Sequence, residues 1–168
     1  DAGDDTITSS GTDDFVDAGE GDNNITLASG AVGGTYQSGT GDDIYNLQEG
    51  YHSRSNNNQN VSIDSGSGSD TINVNVALEG SNIRLGDGDD TLIVSKAFDS
   101  YYTQSFYGGG GNDNFNIKEG STNKSSSVYI YGESGNDILT ISGDFSINRY
   151  GVNLNGGLGD DTINISNA

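Results

Sequence analysis

The sequence predicts an all-β fold, a parallel β-helix or β-roll of about eight coils. Two observations predict it. A short Gly/Asp turn recurs along the chain at intervals of 18 to 27 residues, and apolar residues alternate with polar ones on both sides of each turn. Strict alternation indicates strands with one buried face. Because the strands are too close in sequence for crossover helices, a coil of parallel strands with apolar side chains inside satisfies both observations.

Each turn has the form Gly-x-Gly-x-Asp, followed by x-U-x-U, where U is apolar. The residues 86–90 form a complete copy, which is followed by Leu92 and Val94. The last turn positions of the eight copies are Asp5, Asn23, Asp43, Asp70, Asp90, Asp113, Asp137 and Asp161. Three copies depart from the pattern: the first is truncated, the second ends in Asn23, and the seventh has Glu133 where the first glycine is expected.

A second apolar column precedes each turn. Its members lie seven residues before the last turn position and are Val16, Tyr36, Ile63, Ile83, Phe106, Ile130 and Leu154. Each coil is therefore predicted to contain a strand, a Gly/Asp turn, a second strand and a return loop. The return loops vary in length and are rich in Ser, Asn, Gly and Tyr; the first, residues 10–14, is a weak half-copy of the turn. One edge of the roll is thus expected to be regular and the other irregular.

The composition narrows the classes of partner. The chain has 25 acidic residues against 6 basic ones, a net charge of −19 and a hydrophobic content of only 30%. Such a composition usually indicates disorder, but here the acidic residues recur at fixed places. The acidity argues against binding to nucleic acid or to an anionic membrane surface. No apolar run approaches the ~20 residues that span a bilayer, so no insertion into a membrane is expected. Since there is no cysteine, a bound metal is expected to stabilise the fold.

The turn residues have the chemistry that calcium requires. Glycine permits φ > 0 and a close backbone approach, so carbonyl oxygens can converge, and aspartate adds a hard carboxylate oxygen. Calcium takes about six to eight such oxygens. In stacked coils a cation between two turns would take ligands from both, so eight turns predict up to seven Ca²⁺ ions. We call the space between two successive turns a gap. The two gaps beside Asn23 each have one formal negative charge fewer, so they are expected to bind Ca²⁺ more weakly. The predicted glycine ligands are Gly19, Gly21, Gly39, Gly41, Gly66, Gly68, Gly86, Gly88, Gly109, Gly111, Gly135, Gly157 and Gly159.

Without the cation, the column of carboxylates is expected to oppose folding. Two carboxylates ~5 Å apart repel each other by roughly 1–3 kcal/mol. Further acidic residues in the turns add to this repulsion, namely Asp42, Asp87, Asp89 and Asp160. The apolar core is thin, so the apo chain is predicted to be largely unfolded and Ca²⁺ to fold it cooperatively.

The tandem turns resemble the RTX family, the haemolysin-type calcium-binding nonapeptide repeats. The resemblance covers nearly the full chain. It implies a right-handed β-roll, in agreement with the handedness of parallel crossovers, and Ca²⁺ held by the motif aspartates and glycine carbonyls. It also implies type I secretion of the unfolded chain from a Gram-negative bacterium, with folding by extracellular Ca²⁺. Family rolls have metal turns on both edges, whereas here the second edge loses the motif after the first coil, so metal is expected mainly on one edge.

The predicted function is a calcium-binding structural and interaction module, not an enzyme, of a large secreted or cell-surface protein of the adhesin or surface-layer type. Four features favour this function: the acidity, the repetition, the lack of a catalytic constellation, and the open coil ends that further chain must cover. Residues 1–168 are expected to form a single domain taken from a longer chain. The alternative is an accessory roll of a secreted enzyme, such as a protease, lipase or polysaccharide epimerase. A polysaccharide-active β-helix is the third hypothesis, although the basic residues are scattered.

Five further residues are predicted to lie on the outer surface. Tyr107, Tyr129 and Tyr131 are expected to face outward on adjacent coils, either through simple strand preference or as an aromatic patch for a polysaccharide or a neighbouring subunit. Arg84 is expected to form a surface ion pair with Asp64 on the adjacent coil.

Overall fold

The computed structural model describes residues 2–51, 60–96, 102–118, 127–143 and 151–166. Within these ranges every regular element is a β-strand and every strand pair is parallel, so the predicted fold class is confirmed. None of the described residues forms a helix that could cross a membrane. The right-handed sense of the coil stays a prediction.

Two sheets form the roll, and the chain passes alternately from one to the other. The first sheet contains β1 (Thr6–Ser9), β3 (Asn24–Leu27), β5 (Ile44–Leu47), β7 (Thr71–Val74), β9 (Thr91–Val94), β11 (Asn114–Ile117), β13 (Ile138–Ser142) and β15 (Thr162–Ser166). The second contains β2 (Phe15–Asp17), β4 (Gly34–Gln37), β6 (Val61–Asp64), β8 (Ser81–Asp87), β10 (Gln104–Gly110), β12 (Val128–Ser134) and β14 (Val152–Leu158). The described residues thus give seven coils that have a strand in each sheet, followed by β15, so the number of coils differs slightly from the predicted eight.

The strand register agrees with the apolar columns in the sequence. Val16 pairs with Tyr36, Tyr36 with Ile63, and the column continues without a slip to Leu154. This register is strongly specified because a shift of one residue would turn the whole apolar column of a strand to solvent. Return loops of variable length therefore do not disturb the stacking of the strands.

The core contains side chains that the alternation does not predict. Ala31, Tyr51 and Leu78 lie in return loops and are fully buried against the strand residues. Each is four residues beyond the last buried residue of a first-sheet strand. They close the irregular side of the core, so the return loops contribute to stability as well as to connection.

The last coil exposes its inner face. Ile163 and Ile165 on β15 continue the buried columns of the preceding strands, yet they are 44% and 66% exposed, because no described strand lies on their far side.

Candidate metal centre

The Gly/Asp turns form one continuous edge, and their last positions stack in a column. Each of these residues directly precedes a first-sheet strand, so the parallel register of that sheet aligns them. The six internal members are no more than 2% exposed. They are Asn23, Asp43, Asp70, Asp90, Asp113 and Asp137. Asp5 and Asp161, at the two ends, are partly exposed.

Hydrogen bonds between neighbouring turns fix this column, which we call the inner ladder. The backbone amide of Asp43 donates to Oδ1 of Asp70 at 2.7 Å, and the amide of Asp70 donates to Oδ1 of Asp90 at 2.7 Å. The same bond joins every successive pair from Asp5 to Asp161, at distances between 2.7 and 3.0 Å. The carboxylates are therefore held together rather than splayed apart.

One oxygen of each internal aspartate remains unsatisfied. The Oδ2 atoms of five aspartates are buried and have no hydrogen-bond partner, those of Asp43, Asp70, Asp90, Asp113 and Asp137. Buried polar atoms nearly always have a partner, and a buried carboxylate oxygen without one is costly. Five such atoms at equivalent positions indicate a ligand of positive charge.

The backbone supplies oxygens on the same edge. A Cβ atom on Gly88 would overlap the carbonyl oxygen of Gly68, and one on Gly111 would overlap that of Gly88. The glycine at the third position of the turn therefore leaves room for the carbonyl of the preceding turn to point towards it. Among the described residues, no three acidic or histidine side chains converge on one point, so these carbonyls are the natural complement to the carboxylates.

This donor set fits calcium. Carboxylate and carbonyl oxygens are the ligands that Ca²⁺ takes in proteins, whereas zinc and copper favour nitrogen and sulfur. The aspartates of the inner ladder would supply Oδ2, and the turn glycines would supply carbonyl oxygens. All the predicted ligand residues lie in the turns of this edge, but which of them bind metal stays a prediction.

Burial changes the protonation of the metal-free carboxylates. It raises the pKa of Asp70 and of Asp113 to about 7 and that of Asp90 to about 6, and it also raises the pKa of Asp137. The amide hydrogen bond from the preceding turn acts in the opposite direction but does not offset desolvation. Below these raised pKa values the metal-free carboxyl groups of Asp70, Asp90 and Asp113 therefore hold protons, which a cation must displace.

A second column of hydrogen bonds, the outer ladder, was not predicted from the sequence. It is formed by the residues that precede the inner-ladder positions. Oδ1 of Asp42 accepts the amide of Ser69 at 2.7 Å, and Oδ1 of Asp89 accepts the amide of Asn112 at 2.7 Å. These side chains reach towards the following turn, whereas those of the inner ladder reach towards the preceding one. The expectation that Asp42 and Asp89 add only repulsion was therefore incomplete; the signal in the sequence was the recurrence of Asp, Asn or Ser before each ladder residue.

Glu133 is the one departure from the glycine pattern that strains the backbone. It has φ = 76°, in the left-handed region, where the next turn has Gly157 with φ = 112°. A non-glycine residue in this region costs about 1–2 kcal/mol. The turn nevertheless retains its place in both ladders, since Asn136 and Asp137 make the usual bonds.

The half-copy on the opposite edge differs from the Gly/Asp turns. Oδ2 of Asp14 accepts hydrogen bonds from Oγ of Ser9 at 2.6 Å and from the amide of Gly11 at 3.0 Å. This oxygen is thus satisfied within the chain, unlike the Oδ2 atoms of the inner ladder.

Comparison with known proteins adds a family match. The family model of the RTX calcium-binding nonapeptide repeat matches in four copies, over residues 1–31, 105–120 and 126–143. No curated protein and no solved structure matches the chain. The turns that end at Asp43, Asp70, Asp90 and Asp161 lie outside the matched segments, but they share the ladder and register of the matched turns.

Proposed function

Because this chain carries RTX calcium-binding nonapeptide repeats, we propose that it is a structural and interaction module, folded by Ca²⁺, of a large secreted or cell-surface protein of the adhesin or surface-layer type. The observation that carries the proposal is the row of five buried Oδ2 atoms without a partner. A roll with this row is incomplete until cations bind.

The proposed location is outside the cell. RTX repeats typically occur in secreted proteins, and extracellular calcium modules bind with dissociation constants of about 10⁻⁴–10⁻³ M. A chain whose carboxylates oppose folding until such a concentration is met would stay unfolded during type I export from a Gram-negative cell and fold outside. Its net charge of −19 also favours solubility of the unfolded chain.

A calcium titration of the metal-free chain tests the proposal. We expect the β-strand signal in circular dichroism to appear cooperatively with Ca²⁺, to be lost in chelator, and to be restored far less well by Mg²⁺, which demands smaller octahedral sites. Isothermal calorimetry should detect binding over the same concentrations. A β-strand signal that chelator does not change, together with no heat of calcium binding, would contradict the proposal.

We further propose that the module itself does not catalyse a reaction. The inner-ladder carboxylates are fixed by backbone amides and buried, which suits ion binding rather than proton transfer to a substrate. Mass spectrometry of the intact parent protein distinguishes the alternative: a catalytic domain in the same chain would make the roll an accessory of a secreted enzyme. Turnover of a polysaccharide by residues 1–168 alone would contradict a non-catalytic role.

The outward face of the second sheet is the proposed contact surface. Tyr107 and Tyr131 stack across neighbouring strands with ring centroids 5.3 Å apart, and Tyr129 lies 6.3 Å from Tyr131 with the rings nearly parallel. The guanidinium carbon of Arg84 lies 5.2 Å from the centroid of the Tyr107 ring. We call these four residues the tyrosine patch.

A neutral polysaccharide is the occupant that this patch favours. A cavity of about 250 Å³ adjoins it, lined by Arg84 and Tyr107 together with Asp64 and Glu133. Aromatic rings contact the apolar faces of sugars, and carboxylates and a guanidinium bind hydroxyl groups. The net charge of −19 argues against an anionic polysaccharide.

Binding to a panel of neutral and anionic polysaccharides tests this surface in the calcium-loaded protein. We expect Y107A and Y131A to weaken binding to a neutral glycan at least tenfold, while Y102A, which truncates an exposed tyrosine outside the patch, leaves it unchanged. Equal binding of the neutral glycan by Y107A, Y131A and Y102A would contradict the assignment of the tyrosine patch as a glycan-binding surface. Concentration-dependent self-association that Y107A abolishes would point instead to a neighbouring subunit.

A further inference from the structure

We propose that the side-chain amide of Asn23 takes the place of a calcium ion, so that the gap between the turns of Asp5 and Asn23 binds none. The proposal rests on the proposed calcium function. It replaces the expectation of a weak site in that gap with one of no site. The metal row then begins in the next gap, where the buried Oδ2 of Asp43 has no partner.

The hydrogen bonds of Asn23 carry the argument. Its Oδ1 accepts the amide of Asp5 at 3.0 Å, which is the ordinary inner-ladder bond. Its Nδ2 donates to the carbonyl oxygen of Gly21, two residues earlier, at 2.7 Å. Both polar atoms of this buried side chain therefore have partners, and the backbone amide of Asn23 continues the ladder to Asp43.

The aspartate turns have the same arrangement with one atom changed. Oδ1 of Asp90 makes the same ladder bond, to the amide of Asp70, so Oδ2 of Asp90 occupies the position equivalent to Nδ2 of Asn23. That oxygen is buried and has no partner. An ionised carboxylate oxygen cannot donate to a carbonyl, so while Asp90 is charged this position holds an acceptor where Asn23 has a donor. A cation resolves the conflict in the aspartate turns, and the amide hydrogen resolves it at Asn23.

The opposite edge of the same coils is also complete without metal. Oδ2 of Asp14 is bonded to Ser9 and Gly11. The hydroxyls of Tyr36 and Tyr51 both donate to the buried carbonyl oxygen of Gly33, each at 3.0 Å. This independent observation gives the N-terminal coils a metal-free set of bonds on both edges.

The number of bound ions follows from the placement of Asn23. Each inner-ladder side chain reaches towards the preceding turn, so the six aspartates from Asp43 to Asp161 leave six gaps that each contain a carboxylate. We therefore expect six Ca²⁺ ions on this edge instead of seven.

Counting bound calcium tests the proposal directly. We expect native mass spectrometry, with equilibrium dialysis as a second count, to find at least one more Ca²⁺ per chain in N23D than in the wild type under saturating calcium. N24D is the matched control, because it adds the same charge one residue along the chain on an exposed side chain and should bind the wild-type number. An unchanged count in N23D would overturn the proposal, as would an equal gain in N24D.

The reverse exchange gives a readout that needs no calcium. By analogy with Asn23, D90N should place an amide donor opposite the carbonyl oxygen of Gly88 and keep the ladder bond from the amide of Asp70. D90A provides no donor and also removes the ladder bond. In chelator, with an osmolyte that populates the folded state, we expect D90N to melt at roughly 2–4 °C above the wild type and D90A below it. A D90N melting temperature at or below that of D90A would overturn the proposal.

The two experiments separate this inference from the proposed function. If the wild type binds no calcium, the proposed function fails, and the comparison of D90N with D90A still decides whether an amide can complete the turn. If the wild type binds calcium and N23D binds no more, only the inference fails.

Discussion

The backbone amide of Asp70 donates a 2.7 Å hydrogen bond to Oδ1 of Asp90, and Oδ2 of the same carboxylate is buried without a partner. The first contact aligns two coils that are separated by a return loop. The second gives those coils a requirement for positive charge. One side chain thus sets the register of the roll and also makes the roll depend on a cation.

Lowering the pH should stabilise the metal-free fold. The pKa of Asp70 and of Asp113 is raised by burial to about 7, and that of Asp90 to about 6, from 3.8. Because the folded state holds protons that the unfolded chain has released, this contribution to stability is complete below about pH 3.8 and is lost as the pH rises towards 7. Calcium-stripped protein should therefore show more strand signal in circular dichroism at pH 5 than at pH 8.

Calcium should remove this dependence. In the calcium-bound fold these carboxylates are ionised, as they are in the unfolded chain above about pH 5, so the free energy of unfolding in saturating calcium should be nearly independent of pH from about 5 to 8. Urea unfolding in saturating calcium measures this. A calcium-saturated stability that falls with pH as steeply as the metal-free strand signal, or a metal-free strand signal that grows with pH, would contradict the assignment of these aspartates.

A methyl group should be tolerated at Gly110 but not at its neighbour Gly111. Gly111 has φ = 130°, and a Cβ there would overlap the carbonyl oxygen of Gly88. A Cβ at Gly110 would lie 3.2 Å from Oδ1 of Asp87, in a conformation open to any residue. We expect G111A to lower the free energy of unfolding by about 3 kcal/mol or more and G110A by less than about 1 kcal/mol. Urea unfolding in saturating calcium measures both, and similar losses would mean that the carbonyl does not point into this gap.

The sequence was sufficient to predict the parallel roll because its repeat and its alternation are two independent periodicities with one common solution. The column from Val16 to Leu154 has no slip, since each of the seven turns after the first is preceded by an apolar residue seven places before its last position. The positions of Asp70, Asp90 and Asp113 follow from the same periodicity.

Other features depend on three-dimensional contacts. Tyr51 and Leu78 share a spacing of four residues from the last buried strand residue, but this spacing recurs in only some coils, and the closed coil shows that they enter the core. From the sequence alone, Asn23 is expected to be a weaker calcium ligand than aspartate. Its role depends on the hydrogen bond that its side-chain amide donates to the carbonyl oxygen of Gly21. The outer ladder is not predicted because the charge of an exposed aspartate does not reveal that its carboxylate accepts a hydrogen bond from a backbone amide of the next turn.

Removing an acceptor from the outer ladder should destabilise the turns, whereas removing a charge should not. Oδ1 of Asp89 accepts both the backbone amide and Nδ2 of Asn112, at 2.7 and 3.0 Å. D89N keeps this oxygen and relieves repulsion, so it should fold at a lower calcium concentration than the wild type. D89A loses the acceptor and should require a higher one. The order of the three folding midpoints checks this, and a D89A midpoint below that of D89N would show that charge outweighs the ladder.

The hydroxyls of Tyr36 and Tyr51 should substitute for each other at the carbonyl of Gly33. Both donate to that oxygen at 3.0 Å, and burial raises the pKa of both phenols, so they remain donors at neutral pH. Y36F and Y51F each leave one donor in place and should each cost about 0.5–1.5 kcal/mol of unfolding free energy.

The double variant Y36F/Y51F leaves the buried Gly33 carbonyl without either hydroxyl. Its loss should exceed the sum of the two single losses by about 1 kcal/mol, because a buried polar atom that loses its last partner incurs the full cost of desolvation. A double-mutant cycle measured by urea unfolding in saturating calcium gives this coupling. Y45F is the control, since the hydroxyl of Tyr45 bonds to Ser38 on the other edge, and its effect should simply add to that of Y51F. Strict additivity of Y36F and Y51F would show that Gly33 finds another donor when both hydroxyls are removed.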